Sequence, residues 1–218
     1  MDGRIGLLGF GEAGRAFADG WRGAPGALPL AAYDLKLDAG DGAVIAAMEQ
    51  RGVAPCPSAA ALATEAEAIL SLVTADRALA AAQSVAAALR PGTPYFDGNS
   101  CSPQTKQAAA QAIDGAGGRY VDMAVMAPVH PALHRTPLLV SGPHAAALAP
   151  LMARLDLVAQ VVGEDVGRAS AMKLTRSIVV KGFEALLADG LLAGRALGVE
   201  ETVLDALERS YPGYDFRG

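Results

Sequence analysis

Gly9-Phe10-Gly11-Glu12-Ala13-Gly14 constrains this chain more than any other stretch. It follows a short apolar run, Ile5-Gly6-Leu7-Leu8, and precedes a helix-compatible segment from Ala13 to Trp21. A strand that ends in a glycine turn and opens a helix is the arrangement in which backbone N–H groups at a helix N-terminus receive a pyrophosphate. Gly9 permits the tight turn, Gly11 lets phosphates approach with no side chain between, and Gly14 allows close packing of the helix on the sheet. Phe10, Glu12 and Ala13 complete the expected cradle.

Glycine spacing alone is a weak sign, so a second strand closed by an acidic residue matters. Leu30-Ala31-Ala32-Tyr33 reads as a buried parallel strand and ends at Asp34, twenty positions after Gly14. A carboxylate there would accept hydrogen bonds from an adenosine ribose; the plainer alternative is a surface aspartate. A 2′-phosphate beside Asp34 would be repelled, so NAD is favoured over NADP, although Lys36 softens that preference by offering a phosphate partner.

The 218 residues suffice for one full domain and part of another, and 52% apolar content supplies ample core. A formal charge of −5, with no cluster of Lys or Arg, argues against nucleic acid as a partner. No run reaches the roughly 18 to 20 apolar residues of a membrane span, and the first strand begins too early to leave room for a cleavable leader. A cytoplasmic location is the default expectation. Cys56 and Cys101, 45 positions apart, form neither a redox pair nor a metal knuckle.

Short apolar runs alternate with helical segments along the chain, which predicts a doubly wound α/β fold with a parallel sheet. Expected strands are Arg4 to Leu8, Leu30 to Tyr33, Ala68 to Leu72, Pro94 to Phe96, Tyr120 to Val125, Leu138 to Ser141 and Val158 to Val162. Expected helices cover 43 to 51, 58 to 65, 75 to 90, 103 to 113 and 144 to 155, several opened by Ser, Thr or Asp. After Gly163 the pattern changes. Asp165 to Leu197 holds no proline over 33 residues, too long for a crossover, and reads as an interdomain helix followed by a short helix from Glu200 to Ser210. The predicted division is a dinucleotide-binding domain over 1–163, then an interdomain helix and partial helical domain over 164–218.

The glycine loop, Asp97-Gly98-Asn99-Ser100-Cys101-Ser102-Pro103 and Gly167-Arg168-Ala169-Ser170-Ala171-Met172-Lys173 together resemble the three motifs of the β-hydroxyacid dehydrogenases, the family of 3-hydroxyisobutyrate and 6-phosphogluconate dehydrogenases. The resemblance spans the chain in the expected order. It implies a Rossmann-type domain, a long interdomain helix and an all-helical domain used for homodimerisation. It further implies oxidation of a hydroxyl beside an acid group by NAD or NADP, with Lys173 as acid/base. The family continues for several more helices, so the chain is expected to be a shortened form.

Hydride transfer at a carbinol carbon requires the hydroxyl proton to be removed, and the reverse reaction requires one to be supplied. A lysine desolvated beside Met172 suits that task; a solvated lysine on a helix surface is the ordinary alternative. Lys181, two turns on, reads as a packing or surface residue. Asn99 and Ser100 follow a strand at the carboxyl edge of the sheet, where ligands collect. The resemblance places Asn99 near the nicotinamide ribose and Ser100 near nicotinamide or substrate, while a helix capped by Ser102 and opened by Pro103 explains the same stretch. By the same order Val73 and Thr74 line the adenine and ribose side of the groove, with Thr74 equally suited to cap a helix.

Two departures touch the substrate. The family's Ser-Gly-Gly turn, which binds the substrate acid, is replaced after Asp122 by Met126-Ala127-Pro128, leaving Met126 as the expected lining residue. The asparagine that follows the family's lysine is replaced by Arg176 and Ser177, three and four positions on, facing the same side of a helix as Lys173. Arg176 would grip a carboxylate by its planar fork, or is a surface arginine. His130 and His134 invite a metal reading, but Pro131 interrupts the helix and no acidic or cysteine ligand adjoins them. His144 reads as a helix-start residue. No Gly-x-Ser-x-Gly elbow or phosphate-loop lysine is present in the sequence.

The expected function is therefore hydride transfer between NAD(P) and a small β-hydroxy acid or its aldehyde or keto partner, in a homodimer. The alternatives are a non-catalytic NAD(P) sensor or partner subunit, and an imine reductase on the same scaffold.

Overall fold

The computed structural model describes residues 3–23 and 29–217. Among these, eight strands form one sheet: β1 (Arg4–Leu8), β2 (Leu30–Tyr33), β3 (Val53–Pro55), β4 (Ala66–Ser71), β5 (Pro94–Asp97), β6 (Arg119–Val125), β7 (Leu138–Ser141) and β8 (Ala159–Gly163). Their order is β3-β2-β1-β4-β5-β6-β7-β8. The chain winds outward from β1 in one direction, then returns to β4 and winds in the other. That reversal places a crevice at the carboxyl ends of β1 and β4, the position where doubly wound sheets bind ligands.

Side chains alternate between the two faces of the sheet, as the pleat requires. Ile5, Leu7, Leu70, Phe96 and Val121 pack on one side with α1 (Glu12–Arg22) and α3 (Gly42–Glu49). Leu8, Ile69, Tyr95 and Tyr120 pack on the other with α4 (Ala59–Glu65), α5 (Ala78–Ala86) and α6 (Pro103–Gly115). Both faces are covered, so the strands read as continuous apolar runs. Trp21 on α1 is 2% exposed, meets Phe17 edge to face, and donates from Nε1 to the Leu155 carbonyl at 2.7 Å. An unpaired indole N–H there would cost about 1–3 kcal/mol.

The sheet departs from the all-parallel expectation at one pair, since β6 and β7 run antiparallel. Residues 126–137 join them with Pro128, Pro131 and Pro137 and no α-helix, so the segment supplies no helical crossover and the chain returns alongside itself. The three-residue β3 was not expected; it pairs with β2 at the sheet edge. The helix expected over 144 to 155 shortens to α7 (Ala149–Arg154), because Pro150 sits in its first turn and fixes the start. The helix expected over 75 to 90 is a 3-10 turn at Ala75–Arg77 followed by α5.

The chain divides into two compact units, 1–173 and 174–218. Helix α8 (Arg168–Ala196) starts directly after Gly167, whose φ of +96° stops helix from running further back. Within the second unit, the tail beyond α9 (Glu200–Ser210) is tied to that helix by Arg217. Its guanidinium contacts Glu201 at 2.7 Å, Glu208 at 2.9 Å and Asp205 at 2.5 Å. Tyr211, Tyr214 and Phe216 thereby line a cavity of about 490 Å³ with Phe183, Leu186 and Leu207.

Candidate active site

The turn after β1 is held by backbone geometry. Gly9 has φ +97°, and a Cβ there would lie 2.6 Å from the Leu72 carbonyl oxygen, so the position is closed to side chains. A Cβ on Gly14 would overlap the Gly9 carbonyl oxygen. Gly11 differs from both: a Cβ there would meet nothing within 4 Å. Gly11 is also the N-cap of α1 and brings no side-chain hydrogen bond to its first turn, where Glu12, Ala13 and Gly14 carry the first N–H groups. Helices α3, α4 and α6 are capped by Asp41, Ser58 and Ser102. An uncapped helix start beside open space is what a pyrophosphate requires. The loop fits an NAD(P) diphosphate.

Asp34 caps the single-turn helix α2 (Leu35–Asp38) and is tied to the glycine turn. Its Oδ2 accepts from the Phe10 N–H at 2.7 Å, and its Oδ1 from the Lys36 N–H at 3.0 Å. Each oxygen keeps a further lone pair, and the residue is partly exposed, so the carboxylate remains able to receive a ribose hydroxyl. Neighbouring Tyr33, buried and donating to Asp38 at 2.7 Å, has its phenol pushed up to about 12, chiefly by burial.

Across the crevice, β4 and β5 deliver the next residues. Val73 adjoins Gly9, and its N–H donates to Asn99 Oδ1 at 2.6 Å. The Asn99 amide donates to Ser71 Oγ at 3.0 Å, and its backbone N–H to Asp97 Oδ1 at 3.0 Å. Asn99 is 3% exposed, so its side chain fastens the β4 loop to the β5 loop. Thr74 precedes the 3-10 turn without capping it by its side chain, and its hydroxyl bonds the Asp76 carboxylate, holding that group below its usual range.

Lys173 and Ser100 meet. Lys173 Nζ donates to Ser100 Oγ at 2.7 Å. Burial, and secondly the charge of Lys106, push the Lys173 ammonium below the ordinary lysine range. Met126 follows β6 with its N–H given to the Pro137 carbonyl at 2.9 Å, and Ala127 and Pro128 beside it are exposed. Arg176 and Ser177 belong to the second unit. His134 is buried against Trp21, with Nε2 3.3 Å from Asp156 Oδ2. His144 lies 3.4 Å from Asp114.

Beneath Lys173 and Ser100 is a polar cluster that the sequence reading passed over. Lys106 is fully buried, donates to the Asp97 carbonyl at 2.5 Å and Asp97 Oδ1 at 2.9 Å, and lies 3.4 Å from Asp122 Oδ1. Tyr120 OH donates to Asp97 Oδ2 at 2.7 Å. Asp122 accepts from Ser170 Oγ at 2.6 Å, from the Ser170 N–H at 3.0 Å and from Ser141 Oγ at 3.2 Å. Ser141 Oγ in turn accepts from the Ala169 N–H at 3.0 Å. Asp122 therefore does from a strand what a local cap does for other helices: it satisfies the first turn of α8 and opposes its dipole. One signal was available, since Lys106 shares its helix face with Ala109, Ala110 and Ile113, all buried.

The family model described as the NAD binding domain of 6-phosphogluconate dehydrogenase matches residues 4–167. A conserved hypothetical protein of known structure from Sinorhizobium meliloti 1021 is 39% identical, with TM-score 0.82, covering 100% of this chain and 73% of that one. A conserved protein of unknown function, described as structurally similar to 3-hydroxyacid dehydrogenases, is 32% identical with TM-score 0.79, covering 98% of this chain and 78% of that one. At lower identity the fold is shared by a Mycobacterium tuberculosis 3-hydroxyisobutyrate dehydrogenase (20%, TM-score 0.80, covering 99% and 73%) and a Myxococcus stipitatus imine reductase (21%, TM-score 0.73, covering 94% and 71%). An uncharacterized Methanothermus fervidus protein is 28% identical over 116 residues, 53% of this chain; the chain spans less than half, 44%, of that relative's length. With three quarters of its length matched, and the glycine turn inside the match, the chain belongs to the family whose members carry the NAD binding domain of 6-phosphogluconate dehydrogenase.

Proposed function

We propose that this chain is an NAD(P)-dependent oxidoreductase acting on a small β-hydroxy acid or its aldehyde or keto partner. The observation that carries the reading is the 2.7 Å contact between Lys173 and Ser100, the latter one residue after Asn99, whose side chain is bonded to Val73 beside Gly9. Gly9 to Gly14 would hold the diphosphate, Asp34 the adenosine ribose, and Val73 and Thr74 the adjoining wall. NAD is the expected partner, because Asp34 would repel a 2′-phosphate. When bound, the nicotinamide accepts or supplies the hydride.

Lys173 holds the proton. In the direction of oxidation its neutral amine takes the proton from the substrate hydroxyl; in reduction its ammonium returns one to the carbonyl oxygen. Burial favours the neutral form, so the amine is available at lower pH than a solvated lysine would allow. Ser100 accepts from Nζ at 2.7 Å and is proposed to touch the substrate. Oxidation is then expected to rise with pH through the lowered lysine midpoint, and reduction to fall.

Met126, Ala127 and Pro128 replace a serine-bearing turn, so the acid group of the substrate needs a partner other than a serine there. The second unit exposes Ile178, Val179, Leu186 and Leu192, and a second copy of this chain is proposed to cover them. Among the described residues no helix is long and apolar enough to cross a membrane.

Nicotinamide fluorescence on titration with NADH and NADPH tests the first half of the reading, and absorbance with a panel of hydroxy acids the second. Tight NADH binding without oxidation of any acid would support the sensor reading instead. Turnover of a cyclic imine without turnover of hydroxy acids would move the chemistry to the imine class.

A further inference from the structure

Ser100 and Lys173 reach one another from different parts of the chain, and both platforms are held by the same buried cluster. Asp97 closes β5 and accepts the Asn99 N–H, which sets the backbone one residue before Ser100. Asp122 on β6 accepts from Ser170 through backbone and hydroxyl, which sets the first turn of α8, three residues before Lys173. Lys106, on α6, is the cation between the two carboxylates, at 2.9 Å and 3.4 Å. All three side chains are fully buried.

Without Lys106, Asp97 and Asp122 would face each other inside the fold as two unneutralised carboxylates, an arrangement that spreads apart or takes up a proton. Either response moves a platform. If Asp97 turns away it releases Asn99; if Asp122 is protonated it loses its favourable place at the start of α8. The network has little slack, because Asp97 also receives Tyr120 and Asp122 also receives Ser141.

We propose that Lys106 is a positioning residue for the Lys173–Ser100 pair, clamping the strand end that carries Ser100 to the helix turn that carries Lys173. The proposal rests on the reading of Lys173 as the acid/base group. Lys106 is fully buried; it holds the two platforms through Asp97 and Asp122, and its charge also bears on Nζ directly. Lys106 from α6 is the cation that disfavours a second positive charge at Nζ; around it stand Asp97 from β5, Asp122 and Tyr120 from β6, and the Cys101 thiol, which burial pushes up.

The chain has four lysines, Lys36, Lys106, Lys173 and Lys181, which makes carbon-13 labelling at lysine Cε a clean probe. The resonance lost in Lys173→Arg assigns Lys173, and its titration is followed by NMR in the wild type, in Lys106→Met and in Lys106→Met/Asp122→Asn, which removes one charge of each sign. In Lys106→Met the Lys173 midpoint is expected to move up toward the ordinary lysine range. Turnover is expected to fall by about tenfold or more, with NADH affinity changed less than about twofold. The double variant is expected to fold more stably than Lys106→Met and still to titrate unlike the wild type.

Ser170→Ala takes one hydroxyl and no charge from the cluster. Its Lys173 midpoint is likewise expected to rise as the helix turn loosens and Nζ gains water. Loss of the Lys106 charge raises the Lys173 midpoint by itself, so the variant that keeps every charge is decisive: a cluster that serves only stability would lower the melting temperature of Ser170→Ala while leaving the Lys173 midpoint in the folded protein unmoved, and that result overturns the proposal. Should no hydroxy acid be oxidised by the wild type, the dehydrogenase reading fails on its own, while the NMR titration still judges the clamp.

Discussion

The glycine turn after β1 and the polar cluster beneath Lys173 lie in the same unit, yet they handle polar groups in opposite ways. At the turn, α1 begins without a side-chain cap and Gly11 faces open space. In the cluster, Lys106, Asp97 and Asp122 are fully buried and joined by close contacts to Tyr120, Ser141 and Ser170. Unfilled hydrogen-bonding capacity beside open space is an invitation to a ligand. Filled capacity in the interior fixes geometry, because removing any partner leaves a desolvated group. A binding surface and a positioning device can thus be told apart by where their hydrogen bonds end.

The sharpest break between the two is expected at Lys173. Lys173→Ala should lower kcat by about 1000-fold, about 4 kcal/mol, while NADH titration stays within about twofold of the wild type. Comparable activity in that variant would remove the amine from the mechanism. Next comes Gly9→Ala, which places a side chain at positive φ against the Leu72 carbonyl and should cost about 2–3 kcal/mol, read by urea unfolding.

Gly11→Val, two positions on, should leave the melting temperature nearly unchanged yet weaken NADH binding by about tenfold, about 1.4 kcal/mol, because its side chain occupies only the phosphate approach. A large loss of stability at Gly11 would show that the open space is not what distinguishes the two glycines. Smallest is Ser102→Ala, which takes away the cap of α6 and its 3.2 Å bond from the Thr105 N–H. About 1 kcal/mol of stability should go, with cofactor binding intact. The second unit offers a separate check: light scattering at micromolar concentration should show a dimer, and a monodisperse monomer would remove the proposed pairing.

The readable parts of this molecule were local. Gly9 to Gly14 and the cap at Ser102 each sit within a few residues of the groups they hold, and Asp34 closes the next apolar run, so spacing points to them. Lys106, Asp97 and Asp122 come from α6, β5 and β6, and no spacing links them. Their trace is a charged residue where the pattern reserves a place for an apolar one: Lys106 in line with Ala109 and Ile113, and Asp122 inside the buried strand Tyr120 to Ala124. Asn99 shows the converse limit. Its place after β5 marks it for a ligand, yet its amide also bridges Ser71 and Val73. The antiparallel turn of β7 was hidden for a similar reason, since an apolar run carries no record of its direction.

Trp21 gives the first unit an optical reporter of its own. It is the chain's one tryptophan, sealed on the helix whose opposite end opens at the glycine turn, and fastened to Leu155 just before β8. Its ultraviolet emission should therefore be blue-shifted while that helix stays docked and move to longer wavelengths as it lifts away. An unlabelled sample can report both the melting of this corner and, by energy transfer to a reduced nicotinamide, the arrival of its ligand.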